Sequence, residues 1–312
     1  MYSALIALLT AFILDIFVGD PPNRLHPVVF MGKLIHLMTG VFNHGNPVWR
    51  FIGGLFLIVT GGLLFTLPWI FVEKAIIDLP FWLTGILTGV LLKPVFAFRR
   101  LLEAGRSVQT ALQHGDIDEA RRLVSWHLVS RETTDLSAGY VASATIESLA
   151  ENLTDSFFAP LFYFALGGLP LAWFYRFVNT ADAMVGYHNE SFEYFGKPTA
   201  RLDDGLNWLP ARIAGLLLVF SARLGRLNSG MAWRVMVSQH GHTASPNAGW
   251  TMAATAGALG LVLEKKDCYR LTGGEKLPGA DDISKTIRLV AIALLLSLII
   301  NGGVLFERSL FF

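Results

Sequence analysis

The sequence predicts an all-α protein that crosses a membrane several times, and three observations support this fold class. The chain has 312 residues, of which 53% are hydrophobic and only 16% charged, whereas an average soluble domain carries about 25% charged residues. Its mean hydropathy is +0.49. Runs of about 20 apolar residues, the length that crosses a bilayer as a helix, recur along the chain. The net charge of +1 argues against nucleic acid as a partner.

Several apolar runs are candidates for membrane helices. They are residues 3–18, 51–72, 79–98, 156–178, 206–222, 250–263 and 286–306. We expect the first run to be a retained helix, because no basic segment precedes it and no cleavage site follows it. The run at 156–178 is broken by Gly167-Gly168-Leu169-Pro170, a break that suits a re-entrant hairpin as well as a kinked span.

The arginine-rich segment 99–153 predicts the orientation of the chain. Cytoplasmic loops carry an excess of Lys and Arg, so we expect amphipathic helices and loops here to face the cytoplasm. Leu101, Leu102, Val108 and Leu112 recur at helical spacing. We interpret residues 1–312 as a single, multi-pass domain in the cell (cytoplasmic) membrane, with the lipid bilayer as a partner and the active site on the cytoplasmic side.

Acidic residues recur at helical spacing just before the broken run. Glu147, Glu151 and Asp155 are spaced i, i+4, i+8, so a helix places all three on one face. Like charges at this spacing repel unless a metal ion or an arginine lies between them. A metal site is one interpretation, and a solvated acidic helix face is the other.

Two later segments combine acids, amides and arginines. Asn179 and Asp182 share a helix face and are accompanied by Arg176 and Tyr187; Asp203-Asp204 is accompanied by Arg201, Asn207 and Arg212. Oxygen ligands suit Mg²⁺, and guanidinium groups suit phosphate. Helix capping by Asn179 or Thr180, or by the paired aspartates, is the alternative.

Two polar loops complete the set of candidate residues. Asp20 and His26 lie in a proline-rich turn, where His26 could be a base, a ligand or a hydrogen-bonded loop residue. Ser245-Pro246-Asn247 is typical of a helix start, and a helix N-terminus can bind an anion. No Walker P-loop, Rossmann fingerprint or zinc-protease motif is present in the sequence.

Taken in order, these motifs resemble one family, the integral-membrane cobinamide-phosphate synthases of vitamin B12 biosynthesis (the CobD/CbiB proteins). The matching blocks are Gly19-Asp20-Pro21, His26-Pro27-Val28, Arg131 with Thr133, Glu147 to Asp155, Asn179-Thr180-Ala181-Asp182, Ala200-Arg201-Leu202-Asp203-Asp204 with Asn207, Pro210-Ala211-Arg212 and Ser245-Pro246-Asn247-Ala248-Gly249. The resemblance implies ATP-dependent amide formation between adenosylcobyric acid and (R)-1-aminopropan-2-ol or its O-phosphate. ATP and Mg²⁺ are implied, with the corrinoid as substrate, and association with later cobalamin-pathway enzymes is a further expectation.

Individual roles follow from chemical type, since the resemblance does not assign them. The expected Mg²⁺ ligands are Glu151, Asp155, Asp182, Asp203 and Asp204. The expected substrate- or phosphate-binding residues are Arg131, Arg176, Asn179, Tyr187, Arg201, Asn207, Arg212, Ser245 and Asn247. The expected catalytic residues are Asp20, His26 and Glu147, with His26 or Glu147 taking the proton of the attacking amine.

The sequence departs from the family pattern in two places. Glu132 stands where many members have Asp, and residues 264–268 replace an expected glycine-rich stretch, so we expect the last loop to be rearranged.

Two other functions compete with the predicted amide synthase. The first is that of a Mg²⁺-dependent intramembrane prenyltransferase, which usually has fuller Asp clusters than this chain. The second is a non-catalytic membrane carrier or sensor of corrinoids, in which some of the acids would have been lost.

Overall fold

The structure, a computed structural model, describes residues 2–22, 24, 26–129, 132–187 and 189–311, with side chains up to residue 307. It confirms a predominantly helical fold. The helices are α1 Ser3–Phe17, α2 Pro27–Phe42, α3 Pro47–Ile76, α4 Phe81–Leu92, α5 Phe98–Gln113, α6 Ile117–His127, α7 Ala138–Leu153, α8 Ala159–Val185, α9 Lys197–Leu224, α10 Ser229–Gln239, α11 Ala248–Leu259 and α12 Ala280–Phe311. Two short strands, β1 Val262–Lys265 and β2 Tyr269–Thr272, form an antiparallel hairpin.

Long apolar helices confirm the prediction of a multi-pass membrane protein. Five helical stretches among the described residues are long and apolar enough to cross a bilayer, and α1 and α2 are shorter apolar helices. The five stretches are Pro47–Ile76, Phe81–Gln113, Ala138–Val185, Lys197–Leu224 and Ala280–Glu307. The short, Ala- and Gly-rich run at 250–263 forms most of the twelve-residue helix α11, nine of whose residues are buried, followed by the start of β1. It is too short to span a bilayer, and its burial makes it a core helix.

The chain separates into two compact units. The first comprises Met1–Ala97, Ala159–Leu206 and Ile300–Phe312, and the second comprises Phe98–Phe158 and Asn207–Ile299. The interpretation of the whole chain as one membrane-embedded domain stays a prediction.

Close helix packing in the first unit depends on glycine. A Cβ added at Gly85 of α4 would lie 2.6 Å from the Cβ of Ile6, and one added at Gly89 would lie 2.6 Å from the carbonyl oxygen of Ala7. These two glycines form a Gly-x-x-x-Gly pattern, which lets the backbones of membrane helices approach closely. The first helix, α1, is thereby fixed against α4.

The broken run at 156–178 is a helical hairpin. Gly167 and Gly168 within α8 have non-helical dihedral angles, and Gly168 has φ +69° and ψ −157°, a region that only glycine adopts readily. The rings of Tyr163 and Tyr175 stack with their centroids 5.2 Å apart. These two residues would lie about 18 Å apart along a straight helix, so the chain must reverse between them. Of the two arrangements that the sequence left open, the structure shows the hairpin.

The second unit has α7 as its core. Residues 141–150 of this helix are all buried, and α5, α6, α11 and β1 pack around it. Helices α5 and α6 are amphipathic, as predicted, and bury residues such as Leu101, Val108 and Val124. The hairpin of β1 and β2 occupies the segment where the sequence departs from the family pattern, with Asp267 at a positive φ of 60° in its turn.

Candidate functional site

In the first unit, three predicted residues lie on the second arm of the α8 hairpin, and one of them, Asn179, contacts a fourth, Asp203 on α9. The amide of Asn179 donates a hydrogen bond to Asp203 Oδ1 over 3.4 Å, and Asp203 is only 8% exposed. Arg176 and Asp182 lie one turn before and one turn after Asn179 on the same arm. We call Arg176, Asn179, Asp182 and Asp203 the first-unit polar cluster.

Helix capping does not explain this cluster. Asn179 and Thr180 lie in the interior of the second arm, and the Thr180 hydroxyl donates to the carbonyl of Arg176 within the helix. Asp203 and Asp204 lie well inside α9, which begins at Lys197. Capping residues sit at the helix boundary, so the structure removes this alternative.

Gly186 shapes the end of the cluster next to Tyr187. Its N–H donates to the carbonyl of Asp182 over 2.7 Å, and a Cβ at this position would lie 1.9 Å from Asp182 Oδ1. Only glycine leaves room for the Asp182 carboxylate in this orientation. Beyond it, Tyr187 and Arg201 are exposed, whereas Asp204 is half-buried.

Asp20 belongs to a buried ion cluster that the sequence analysis missed. The ammonium group of Lys93 lies 2.9 Å from Asp15 Oδ1 and also forms an ion pair with Asp20. Lys93 is 4% exposed and Asp15 is 1% exposed. A lysine inside an apolar run was the signal, because ionisable groups in membrane segments are rarely placed without a partner. The carboxylate of Asp20 is engaged in fixing its loop.

His26 begins α2. Its Nδ1 accepts a hydrogen bond from the N–H of Val28 over 3.2 Å, and Pro27 occupies the first helical position. With Nδ1 as an acceptor, a neutral imidazole carries its proton on Nε2. The geometry therefore shows His26 as the residue that caps the N-terminus of α2, and its role as a base stays a prediction.

In the second unit, Glu147 is a buried, hydrogen-bonded carboxylate. It is 5% exposed, and its two oxygens accept bonds from the hydroxyls of Ser143 and Tyr269 at 2.7 and 2.8 Å. The N–H of Glu264 in β1 donates to the same Ser143 hydroxyl. The interpretation as a solvated acidic face fails for Glu147, whose contacts join α7 to both strands.

Glu151 and Asp155 lie further along the same helical stretch and are half-buried. A π-helical turn runs from Thr154 to Phe158. Its wider turn changes the spacing of side chains from the one that the i, i+4, i+8 argument assumes for Asp155. Turns of this kind often occur at functional sites.

A second cluster in this unit surrounds Arg212. Its guanidinium lies 4.2 Å from the ring centre of Trp208 and 4.8 Å from that of Trp250, and it donates to the carbonyl of Trp208 and, over 3.5 Å, to the amide oxygen of Asn247. A helix starts after Ser245-Pro246-Asn247 as the sequence predicted, with Asn247 at the N-cap position of α11, and Ser245 accepts from the N–H groups of Asn247 and Ala248. Planar stacking of this kind suits arginine and not lysine.

Two predicted residues remain. Asn207, 1% exposed, begins the second-unit part of α9. Arg131 lies outside the described residues. Among those that are described, no group of three or more His, Cys, Asp or Glu side chains is arranged to hold a metal ion. Mg²⁺ commonly uses one or two carboxylates together with substrate phosphates, so the donors of the first-unit polar cluster fit that mode, and the Mg²⁺ ligands stay predictions.

Comparison with known proteins decides the family. The family model described as "CobD/Cbib protein" matches residues 8–296. The chain belongs to the CobD/CbiB family. The "Probable cobalamin biosynthesis protein CobD" of Methanothermobacter thermautotrophicus is 42% identical over 300 residues, covering 96% of this chain and 97% of the relative. The "Cobalamin biosynthesis protein CobD" of Dehalococcoides mccartyi is 37% identical, with 97% of each chain covered.

A third relative extends the same result. The "Cobalamin biosynthesis protein CobD" of Klebsiella pneumoniae is 38% identical over 312 residues, covering 96% of this chain and 97% of the relative. No solved structure matches. The family resemblance drawn from the motifs is thus confirmed, and this CobD/CbiB chain is a multi-pass membrane protein of a family whose named members serve cobalamin biosynthesis.

Proposed function

We propose that this CobD/CbiB protein catalyses the ATP-dependent joining of adenosylcobyric acid to (R)-1-aminopropan-2-ol or its O-phosphate in cobalamin biosynthesis. The observation that carries the proposal is the family match over residues 8–296. It is supported by the acids and arginines of the described site residues, which are largely buried or half-buried rather than solvated. Ionisable groups beside a bilayer are costly and by default indicate a functional site.

The reaction requires activation of a carboxylate. A carboxylate oxygen of the corrinoid attacks the terminal phosphorus of ATP, giving an acyl phosphate and ADP; the amine then attacks the acyl carbon and releases phosphate. The protein's part is to position the reactants and to neutralise phosphate charge. We assign the phosphates or the substrate carboxylate to Arg131, Arg176, Arg201 and Arg212. Within the first unit we assign Mg²⁺ to Asp182, Asp203 and Asp204, and within the second unit Glu151 and Asp155 stay expected Mg²⁺ ligands.

We assign the role of the base that accepts the proton of the attacking amine to His26 or Glu147. Both are already engaged in hydrogen bonds, His26 through Nδ1 and Glu147 through both oxygens. The pH profiles of His26→Gln and Glu147→Gln distinguish them, because only the true acceptor's loss removes the acidic limb of the rate profile. For Asp20, the ion pair with Lys93 supports a positioning role in the turn before His26.

The deciding experiment is amide formation by the purified protein in detergent. The protein receives adenosylcobyric acid, ATP with Mg²⁺ and either amine, and product mass is measured. We expect an ATP-dependent product with the mass of the amide, and the amine that reacts faster identifies the substrate. No product from a folded sample that binds the corrinoid would favour the carrier or sensor. No corrinoid binding would favour the prenyltransferase.

The Mg²⁺ assignment has its own test. Asp182→Ala and Asp203→Ala should lower turnover by at least about tenfold at saturating substrate and raise the Mg²⁺ concentration needed for half-maximal rate. Asp118→Ala is the matched control, because this aspartate side chain is 88% exposed on α6 and lies outside the predicted site. Unaltered turnover in both site variants would refute their role as a metal centre.

We place the active site on the cytoplasmic side of the cell membrane, because the arginine-rich segment 99–153 predicts that side. Cys268, the single cysteine, is exposed in the turn between the two strands. A membrane-impermeant maleimide should therefore label it only after cells are permeabilised. Labelling of intact cells to the same extent would place this turn outside.

A further inference from the structure

Glu73 meets the second arm of the α8 hairpin at the point where that arm begins. Its carboxylate Oε1 accepts a hydrogen bond from the N–H of Leu169 over 2.7 Å. A Cβ added at Gly168 would lie 2.3 Å from the same oxygen. The positive φ of Gly168 and the close approach of the carboxylate therefore both require glycine at this position.

The second arm has the sequence features of a helix that starts anew. The first N–H groups of any helix have no partner within it. Pro170 removes one of them and presets the dihedral angle of the first turn, and Glu73 accepts the N–H of Leu169. A carboxylate at this end also interacts favourably with the helix dipole. The pattern is that of an N-terminal cap supplied by another helix, with Glu73 in place of a local Ser or Asp.

The contacts that follow the cap hold the arm in a fixed register along α3. Trp69 stacks on Trp173 with centroids 4.7 Å apart and planes inclined by 11°, and Phe65 stacks on Phe177 at 5.6 Å. From Trp69 to Phe65 the contacts move four residues back along α3, and from Trp173 to Phe177 they move four residues forward along the arm. This is the register of two antiparallel helices, in which residues four apart share a face.

The last of these contacts on the arm lies next to the polar cluster in sequence. Gly61 of α3 faces the ring of Phe177 so closely that a Cβ would lie 1.9 Å from it. Arg176 directly precedes Phe177 in sequence, Asn179 lies two residues after it, and Asp182 follows on the same arm. A slip of the arm along α3 would displace all three polar residues together.

We propose that Glu73 is a positioning residue: by capping the second arm, it fixes the placement of Arg176, Asn179 and Asp182. The inference rests on the proposed function as far as catalysis is concerned, whereas the capping itself is a property of the fold. Loss of the cap frees the start of the arm and allows it to fray or slip. Loss of the charge alone does not, because a glutamine oxygen still accepts the N–H of Leu169.

The test combines peptide-resolved hydrogen exchange with steady-state kinetics on the purified protein in detergent. Glu73→Leu should speed amide exchange at 169–173 by about tenfold or more, the effect of losing a hydrogen bond to a charged group. It should lower kcat at least about fivefold and also raise KM for ATP, because Arg176 is among the displaced residues, whereas a smaller folded fraction would lower kcat alone. Glu73→Gln should stay within about threefold of the unaltered protein in both measurements. Lys74→Gln, an exposed neighbour on α3, is the matched control and should change neither.

The outcomes separate the parts of the proposal. Unchanged exchange in Glu73→Leu overturns the cap, and faster exchange with unchanged kcat overturns the positioning role. A Gln variant as impaired as the Leu variant shows that the charge matters and overturns capping as the cause. If Glu73→Leu does not fold, Glu73→Asp replaces it, because its carboxylate is drawn back by one methylene. Amide exchange at 169–173 should then be faster than in the unaltered protein, and an equal exchange rate overturns the cap. Absence of amide synthesis in the unaltered protein refutes the proposed function, while the exchange data still decide the cap.

Discussion

Replacing Lys93 by Met tests whether the buried ion cluster holds the first unit together. Lys93 lies 2.9 Å from Asp15 and is also paired with Asp20. At an effective dielectric constant of about 20, one unit-charge pair at this distance is worth about 6 kcal/mol. Desolvation of each ion offsets several kcal/mol of this. Removing the lysine leaves two buried carboxylates without their cation, and we expect the free energy of unfolding to fall by about 3 to 5 kcal/mol.

The assay is reversible unfolding in mixed detergent micelles, monitored by far-ultraviolet circular dichroism. The triple variant Lys93→Met, Asp15→Asn, Asp20→Asn removes the charges together and should recover most of the loss, because replacing a whole buried ion cluster is often nearly neutral. Lys197→Met is the matched control: its pair with Glu193 is about 40% exposed on both sides, and its loss should cost less than about 1 kcal/mol. A Lys93→Met variant as stable as this control would refute the reasoning.

Three further predictions concern the second unit. Arg212→Lys should raise KM for the phosphate-bearing substrate about 10- to 100-fold, because an ammonium group cannot stack between the two tryptophan rings or bind bidentately; steady-state kinetics measure this, and an unchanged KM contradicts it. Tyr269→Phe should lower the free energy of unfolding by about 1 to 3 kcal/mol, because the buried Glu147 carboxylate loses a donor; equal denaturation midpoints contradict it. Hydrogen bonding by Arg122 lowers the pKa of Glu119, so the pair's stabilisation is complete above the unfolded-state pKa and is lost as pH falls through the lowered folded-state pKa. Arg122→Ala should raise that pKa in an NMR titration, and an unmoved titration midpoint contradicts the assignment.

Local sequence patterns were sufficient for most of the helices. Hydrophobic runs marked α1, α3, α4 and α12 because the length of an apolar segment is itself the physical requirement for crossing a bilayer. Gly115 and Asp116 lie at the boundary between α5 and α6, where Gly115 has a positive φ and Asp116 accepts the N–H of Glu119, as is typical of these residue types at a break between helices. The hairpin of β1 and β2 was not predicted, since strands of four residues leave little periodicity to detect.

The candidate site was predicted only in part. The residue types and their family resemblance come from the sequence, and the structure brings Asn179 to Asp203 and Arg212 to Asn247. The structure also shows ion-pair partners that are distant in sequence and that no local sequence pattern reveals. Lys93 inside an apolar run indicates a buried, paired lysine, but its partners Asp15 and Asp20 are far away in sequence and could not be identified from that run.

By itself, the sequence determined the membrane-protein class, the identity of the polar motifs and the family, because composition, run length and motif order are properties of the chain alone. Only the tertiary structure decided between a kinked span and a hairpin at Gly167-Gly168, since both have the same hydrophobicity and differ only in whether Tyr163 meets Tyr175. It likewise decided that Glu147 is held by Tyr269. The physical reason is that burial and pairing of a charge depend on residues that are distant in the chain and become neighbours only when helices pack.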